Sequence, residues 1–401
     1  MRTETVVGHR AVPRTSLGFI TWGQLAVIAA GPLVAFACLV NFGPVLPLVR
    51  EDLDLTNTWA GVLISASLLS HMLMQLPGGQ FTDAIGGKRA LILAMSVMGV
   101  SLLASGAAPS FPLLLLSRFA LGVGTGLAYI AGIAFVHALV VPTKRALAQG
   151  IFGGAGNVGV LLVLLLSERA ASLVGWRGTF LLEGIAALAV AWLMVARLGS
   201  TPGRAREATQ SWGEVLRQWP LYLLGVAHVL TYGTYTAVAT WTATFLWQRH
   251  GIGLEWAGPL AALLAVGAVL GRGVGGAISA GRERRVILAA CLGSSAFTAL
   301  VPLAPGAPLA LAALLALGLF AAVPFGAVFS YFSLISERGA SGRALSVINF
   351  VANVGAFSFP PAVGYALDLS GSFLLGFGLM AAIGFAGTAA VALWLPKPRR
   401  T

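Results

Sequence analysis

Charged residues are scarce in this chain of 401 residues. Lys, Arg, Asp and Glu together make up 9% of it, whereas a soluble domain carries about 25%. Hydrophobic residues make up 58%, and the mean hydropathy is +0.89. A compact soluble interior cannot hide this much apolar surface. The composition therefore argues against soluble enzymes, nucleic-acid-binding proteins and disordered proteins, and it indicates a polytopic membrane protein.

Cysteine is also scarce, and the familiar catalytic motifs are missing. The two cysteines, Cys38 and Cys291, lie in apolar runs, which gives no support to a disulfide framework or a metal site. The sequence has no Gly-x-x-x-x-Gly-Lys-Ser/Thr loop for ATP and no Ser/His/Asp arrangement outside the apolar runs. We therefore expect no cofactor, no metal, no enzymatic activity and no ATP-driven transport.

Long apolar runs, by contrast, are abundant. A helix needs about 20 apolar residues to cross about 30 Å of hydrocarbon. The runs are continuous, unlike the roughly ten-residue alternation of strands in a membrane barrel. They predict an all-α integral membrane protein with about 12 transmembrane helices. The predicted spans lie near residues 22–48, 58–80, 90–108, 112–140, 146–167, 178–197, 220–247, 257–280, 285–303, 307–335, 342–366 and 371–395.

The basic residues predict the orientation of these spans. The net charge is +12, and 19 of the 25 Lys and Arg residues lie on the cytoplasmic side if both termini are cytoplasmic. Because this split follows the positive-inside rule, we expect a multi-pass protein of the cytoplasmic (inner) membrane with both termini in the cytoplasm. The basic charge then requires no nucleic-acid partner. Arg272, inside the eighth span, is the one basic residue that this topology does not explain.

The two halves of the chain resemble each other. The turn that begins at Gly79 has a degenerate copy at Gly276, and Asn157 in the fifth span corresponds to Asn353 in the eleventh. Two six-span repeats with a site between them are typical of secondary transporters, in which one half rocks against the other. We therefore expect two six-helix pseudo-symmetric bundles. The expected parts are an N-terminal half, a cytoplasmic linker and a C-terminal half, at residues 1–198, 199–219 and 220–401.

A short glycine-containing loop follows the second span. It reads Gly79-x-x-x-Asp83-x-x-Gly86-Gly87-Lys88-Arg89. At this place, and with its second copy, the loop resembles the signature loop of the major facilitator superfamily, and the resemblance covers essentially the whole chain. Gly87 departs from the signature, which has a basic residue there. The resemblance implies a conformational latch that depends mainly on Asp83 and comprises Gly79, Asp83, Gly86, Lys88 and Arg89.

A second pattern, Arg118-x-x-x-Gly122-x-Gly124-x-Gly126, resembles the fourth helix of the same family. Glycines two residues apart allow neighbouring helices to approach closely. The resemblance links Arg118 to helix packing and, in some members, to proton handling. The alternative is that Arg118 extends to the outer membrane interface.

A finer resemblance concerns one position in the second span and one in the eighth. Gln75, followed by Leu76-Pro77-Gly78-Gly79, and Arg272, followed by Gly273-Val274-Gly275-Gly276, resemble the paired anion-binding positions of nitrate/nitrite porters. That family has an arginine at both positions. Only Arg272 remains here, which argues against nitrate. A site for a different anion stays open, because carboxylate-transporting members also occur with a single arginine in the eighth helix.

Polar residues inside the spans are the candidates for a substrate site, because each is costly in hydrocarbon unless it is paired or hydrated. Arg272 suits a carboxylate or another oxyanion, since its planar guanidinium donates several hydrogen bonds. The alternative for these residues is hydrogen bonding or packing between helices. The candidate substrate-binding residues are Arg272, Gln75, His71, Asn157, Asn349, Asn353, Tyr232 and Tyr235.

Three residues are candidates for proton coupling, namely Glu183, Arg118 and His228. Glu183 is the one acid well inside a predicted span, where it could carry a proton. The alternative to this role is a local ion pair with Arg177 or Arg118.

The sequence thus predicts a secondary active transporter that moves a small polar, anionic solute by rocker-switch alternating access, as a symporter or an antiporter. A multidrug or neutral-metabolite exporter of the same fold is one alternative. A non-transporting membrane receptor or scaffold is the other. The expected partners are the solute, a coupling ion (proton or sodium) and the lipid bilayer, and the expected functional unit is a monomer.

Overall fold

The computed structural model describes residues 20–199, 211–279, 281–335 and 342–397. Within these ranges the chain folds into helices, and no strand occurs there. The prediction of an all-α membrane protein is confirmed.

The helices form twelve spans, numbered here in chain order. Spans 1 to 6 are the helices Trp22–Val40 with Phe42–Asp52, Asn57–Met74 with Pro77–Ile85, Gly87–Ala107, Phe111–Leu139, and Pro142–Arg197, which holds spans 5 and 6. Spans 7 to 12 are the helices Trp219–His228 with Thr234–His250, Leu254–Ile278, Glu283–Leu303, Ala307–Ala322 with Phe325–Ile335, Gly342–Ser370 and Phe373–Trp394. A short helix, Trp212–Leu216, lies in the predicted linker, whose residues 200–210 lie outside the described ranges.

Local breaks in the helices explain how the spans divide. Nine helical segments in the described ranges are long and apolar enough to cross a membrane, and one of them, Ile151–Arg197, bends into two spans. The bend is at Gly175, whose φ of 72° is favoured by glycine. Spans 2 and 7 complete the twelve, and both are interrupted. Pro77 lacks the N–H that would continue the helix of span 2, and a π turn, Val229–Gly233, interrupts span 7.

Each half of the chain has its own apolar core. Met98 and Phe135 lie in the core of the first six spans, and Ile287 and Phe332 lie in the core of the last six. This organisation agrees with two six-helix bundles. The boundaries at residues 198 and 220 stay a prediction.

In the part of the chain that the structure describes, the two bundles meet on one side of the molecule. We call the side on which span 1 begins and span 12 ends the terminal face, and the other side the opposite face. Phe42 and Phe180 from the first half share one buried cluster with Trp241 and Phe245 from the second. The hydrogen bonds between halves in the described ranges join span 2 to span 11 and span 5 to span 8, toward the same side. The structure is therefore closed at the opposite face.

Candidate substrate site

A cavity lies between the two bundles near the middle of the spans. Spans 1 and 5 line it on one side, and spans 7, 8 and 10 line it on the other. Its polar lining residues are Asn157, His228, Tyr232, Tyr235 and Arg272. Each of these five residues was singled out by the sequence. The fold therefore brings together four of the predicted substrate-binding residues and one of the predicted coupling residues.

Arg272 is a charged group without an acidic partner in this cavity. It is half-buried, and its guanidinium carbon lies 4.1 Å from the ring centre of Phe325. Among the described residues it makes no ion pair or hydrogen bond. A Cβ atom added at Gly153 in span 5 would lie 3.7 Å from Nη1 of Arg272, so the guanidinium reaches the other half. A cation in this position is costly unless an anion or water compensates it.

The π turn lies in the part of span 7 that faces the cavity. His228 ends the first helix of that span, and its ring stacks on Tyr232 with ring centres 5.6 Å apart. Thr231 turns away, because its hydroxyl donates to the carbonyl oxygen of Ala227 at 3.1 Å and is fully buried. Single π turns in α-helices recur at functional sites. Here the turn leaves one imidazole and two tyrosine rings on the cavity side.

Tyr129 of span 4 belongs to this region, although the sequence did not single it out. Its ring centre lies 5.5 Å from that of Phe36 and 6.2 Å from that of Phe152. Tyr129 and Arg272 are close enough to interact electrostatically. A tyrosine in an apolar helix carries no sequence signal that separates it from a packing residue. Only the position of span 4 beside the cavity identifies it.

Two of the predicted coupling residues lie in the first half, away from the cavity lining. Arg118 donates to Oδ1 of Asn41 at 3.1 Å and to the carbonyl oxygen of Cys38 at 3.0 Å. Asn41 in turn donates to Glu183. Arg118 is fully buried, so the alternative that it extends to the membrane interface is wrong. Asn41, which the sequence did not single out, stands between the cation and the acid and hydrogen-bonds to both.

The predicted latch loop is a tight turn on the terminal face. Gly86 has φ 86°, a value that favours glycine. Lys88 donates to the carbonyl oxygen of Leu198 at the end of span 6, which belongs to the same half. A Cβ atom at Gly87 would lie 2.6 Å from Cδ2 of Phe135, which explains glycine at this departure from the signature. A Cβ atom added at Gly79 would have no other atom within 4 Å, so this position does not require glycine for space. Arg89 is exposed. The side chain of Asp83, the main residue of the predicted latch, lies outside the described part of the structure.

Comparison with known proteins decides the family. A model of the family described as "Major Facilitator Superfamily" matches residues 28–360. The chain belongs to the major facilitator superfamily. It is therefore a membrane transporter and not an enzyme, and its twelve spans in two bundles are the fold of that family.

Members of this superfamily with curated descriptions are similar over most of the chain. A "Probable sulfoacetate transporter SauU" of Cupriavidus necator is 26% identical, with 90% of this chain and 90% of that protein covered. A "Probable nitrate/nitrite transporter NarK2" of Mycobacterium tuberculosis is 26% identical, with 82% of this chain and 87% of that protein covered. A "Probable L-galactonate transporter" of Escherichia coli is 26% identical, with 91% and 88% covered.

Solved structures of the superfamily show the same fold. A bacterial homologue of the human lysosomal transporter Spinster, in an inward-facing and occupied conformation, superposes with a TM-score of 0.73 at 19% identity and covers 92% of this chain and 91% of its own. A D-xylose-proton symporter superposes with a TM-score of 0.76 at 15% identity and covers 94% and 98%.

Two predicted substrate residues of this superfamily member, His71 and Gln75, lie outside the cavity lining. His71 Nδ1 hydrogen-bonds to Oγ1 of Thr125 in span 4 at 3.0 Å. His71 Nε2 lies 3.0 Å from the side-chain amide of Gln75. Both side chains are buried. Gln75 is therefore in contact with His71 and is not among the residues that line the cavity with Arg272.

The asparagines of spans 5 and 11 are not equivalent in the structure. Asn157 lines the cavity. Asn353 is buried and donates from Nδ2 to the carbonyl oxygen of Asn349, one turn earlier, at 2.8 Å. Neither Asn349 nor Asn353 lines the cavity, so the pseudo-symmetry of the sequence does not extend to these side chains.

Proposed function

We propose that this transporter carries a small organic anion across the cytoplasmic membrane by alternating access, and that Arg272 binds the anionic group. The observation that carries the proposal is the Arg272 guanidinium, which lies in a cavity between the halves and has no ion pair or hydrogen bond among the described residues. A carboxylate or sulfonate supplies the missing negative charge and accepts two parallel hydrogen bonds from arginine.

The other cavity walls support an organic anion over nitrate. Phe36 and Phe325 give the cavity apolar aromatic surface, and Tyr232, Tyr235 and Asn157 add hydrogen-bonding groups. A solute with a carbon skeleton uses both kinds of surface, because burial of its apolar part adds to the contact with Arg272. The relatives named for sulfoacetate and L-galactonate agree with this class of solute.

The proposed orientation places both termini in the cytoplasm of a bacterial cell. The terminal face is then cytoplasmic, and closure at the opposite face corresponds to an inward-facing conformation. The loop Gly79–Arg89 is the proposed latch of the other conformation. In the present one, the hydrogen bonds of Lys88 to described residues are made to Val195 and Leu198 of its own half.

We further propose that the Arg118–Asn41–Glu183 network, in which Arg118 and Asn41 are buried and Glu183 is half-buried, couples transport to protons, with Glu183 as the proton carrier. Asn41 is a neutral bridge between the two charged groups, so a change in the charge of Glu183 reaches Arg118 through one amide. His228 is assigned instead to the substrate cavity, where it stacks on Tyr232. The proposed functional unit is a monomer, since the cavity is complete within one chain.

Uptake into proteoliposomes tests the anion proposal. The probes are radiolabelled sulfoacetate, L-galactonate and nitrate, with an uncharged sugar and a neutral drug as comparison solutes. We expect uptake of an organic anion, loss of that uptake in Arg272→Ala, and partial retention in Arg272→Lys, which keeps the charge but not the bidentate geometry. Arg249→Ala is the matched control, because Arg249 is exposed near the opposite face.

The outcomes separate the candidate functions. Wild-type uptake by Arg272→Ala contradicts the assignment of the anion site. Uptake of the neutral drug with no anion uptake supports a multidrug exporter, and binding without uptake of any probe supports a receptor. A thermal-shift titration with the same probes reports binding independently of uptake.

A further inference from the structure

Asp368 near the end of span 11 binds the beginning of span 2 in the other half. Its Oδ1 accepts hydrogen bonds from the backbone N–H of Asn57 at 3.0 Å and from Nδ2 of Asn57 at 2.7 Å. Its Oδ2 accepts from the backbone N–H of Thr58 at 2.8 Å and from the Thr58 hydroxyl at 2.5 Å. Asn57 and Thr58 are the first residues of their helix. The carboxylate therefore satisfies free N–H groups at a helix N-terminus across the interface between halves.

Glu168 of span 5 makes the corresponding contact in the other direction. Its Oε2 accepts a hydrogen bond from the backbone N–H of Gly258 in the first turns of span 8, at 2.9 Å. The sequence placed the end of span 5 at residue 167, but the helix continues to Gly175, so Glu168 lies inside it and is 6% exposed. Its Oε1 is buried and has no partner among the described residues.

The two contacts are related by the internal repeat. Span 5 corresponds to span 11 and span 2 corresponds to span 8. Glu168 and Asp368 are 200 residues apart, and so are Thr58 and Gly258, which is about one helical turn more than the 196 residues between Asn157 and Asn353. The contacts therefore join corresponding pairs of spans, although the residues do not occupy the same position of the repeat. Carboxylate contacts between corresponding spans of both halves favour a shared role.

A glycine at or near each contact allows the backbones of the two facing spans to approach closely. A Cβ atom at Gly258 would lie 2.8 Å from Cδ of Glu168. A Cβ atom at Gly364, one turn before Asp368, would lie 2.3 Å from the carbonyl oxygen of Asn57. Glycine at each of these positions lets the facing span approach to hydrogen-bonding distance.

We propose that Asp368 and Glu168 are positioning residues of the transport cycle that together hold the opposite face closed. Each bond joins a carboxylate of one half to backbone N–H groups of the other, so both are broken when the halves separate on that side. Asp368 makes four hydrogen bonds and Glu168 makes one, so the Asp368 contact contributes more. The role requires no particular substrate and stands independently of the proposed anion site.

Distance measurements between two spin labels test this role directly. The labels are attached at Leu173→Cys and Leu374→Cys, which are exposed positions of different halves on the opposite face. The native cysteines Cys38 and Cys291 are buried, so they compete little for the label. The protein is reconstituted in lipid nanodiscs without any solute, and double electron–electron resonance gives the fraction of molecules with the opposite face open.

We expect Asp368→Ala to raise the ratio of open to closed molecules by about tenfold, as for the loss of a charge-assisted hydrogen bond across the interface. Glu168→Ala is expected to raise it less. Thr58→Val, which removes a donor instead of the acceptor, is expected to act in the same direction as Asp368→Ala. Adding it to Asp368→Ala is expected to produce little further change, because both act on one contact.

The matched control is Asp52→Ala. Asp52 is also an acid on the opposite face, but its partner is Arg177 of the same half, at 2.5 Å. It should leave the open fraction unchanged. An open fraction in Asp368→Ala and Thr58→Val equal to that of the wild type, with an unchanged thermal unfolding profile, overturns the proposal. An equal rise in Asp52→Ala also overturns it, since the effect would then be one of surface charge.

Discussion

Gly61 in span 2 provides a sharp test of how the two halves close. A Cβ atom at this position would lie 2.6 Å from Cα of Pro361 and 2.8 Å from the carbonyl oxygen of Pro360, both in span 11. These are backbone atoms, and the proline rings restrict φ, so they cannot move aside alone. Gly61→Ala should therefore push spans 2 and 11 apart and open the opposite face.

The magnitude follows from where the strain acts. Extra methyl groups in a packed interface cost about 1–3 kcal/mol. Because this interface lies between the halves, the strain exists in the closed conformation and disappears when the halves separate. A penalty of that size on one conformation alone changes the ratio of open to closed molecules by roughly 5- to 150-fold.

Gly122→Ala is the matched control. Its Cβ would lie 2.0 Å from the carbonyl oxygen of Ser67 and 2.0 Å from Oγ of Ser70, both in span 2 of the same half. This contact persists when the halves separate. We therefore expect Gly122→Ala to destabilise every folded conformation by about 1–3 kcal/mol or more without changing the ratio of open to closed molecules.

The assay combines the spin-label pair at residues 173 and 374 with thermal unfolding of the same purified variants. We expect Gly61→Ala to increase the open fraction. We also expect its unfolding temperature to fall less below that of the wild type than the unfolding temperature of Gly122→Ala does. If Gly61→Ala keeps the closed distance distribution and unfolds as early as Gly122→Ala, the reasoning about inter-half strain is refuted.

Further changes test the other parts of the site. Glu183→Gln should preserve solute exchange but remove accumulation driven by a pH gradient, and unchanged accumulation in proteoliposomes rules out its coupling role. Arg118→Lys should lower thermal stability, because lysine cannot donate at once to Asn41 and to the backbone as the guanidinium does; an unchanged unfolding temperature contradicts this. Tyr235→Phe should raise the KM of anion uptake with little effect on folding, and a wild-type KM removes the hydroxyl from the site.

Several features of the site could be predicted because they depend on local properties of the chain. Arg272 was conspicuous as an arginine inside an apolar span. His228, Tyr232 and Tyr235 share a helical spacing, and the structure places all three along the cavity. The same spacing rule correctly put His71 beside Gln75, but it did not reveal that this face meets Thr125. Which neighbour a helix face meets depends on the rotation and packing of whole spans.

Other residues carried no signal that the sequence could reveal. Asn41 and Tyr129 are single neutral polar residues in apolar runs. Glu168 and Asp368 stand near predicted span ends, where acids are common and usually solvated. Their partners lie far away along the chain, and a contact between helices remote in sequence is specified only by the assembled fold.

The sequence by itself determined that this is a helical membrane protein with two related halves and one unexplained arginine. It could do so because hydrophobicity, charge and internal repetition are properties of the chain itself. Only the tertiary structure decided that Arg272 has no acidic partner among the described residues and that Asn41 separates Arg118 from Glu183. It also decided that a carboxylate of each half accepts hydrogen bonds from backbone N–H groups of the other half. These features depend on how twelve helices are rotated and packed, because side chains from distant spans come within hydrogen-bonding distance only in the assembled bundles.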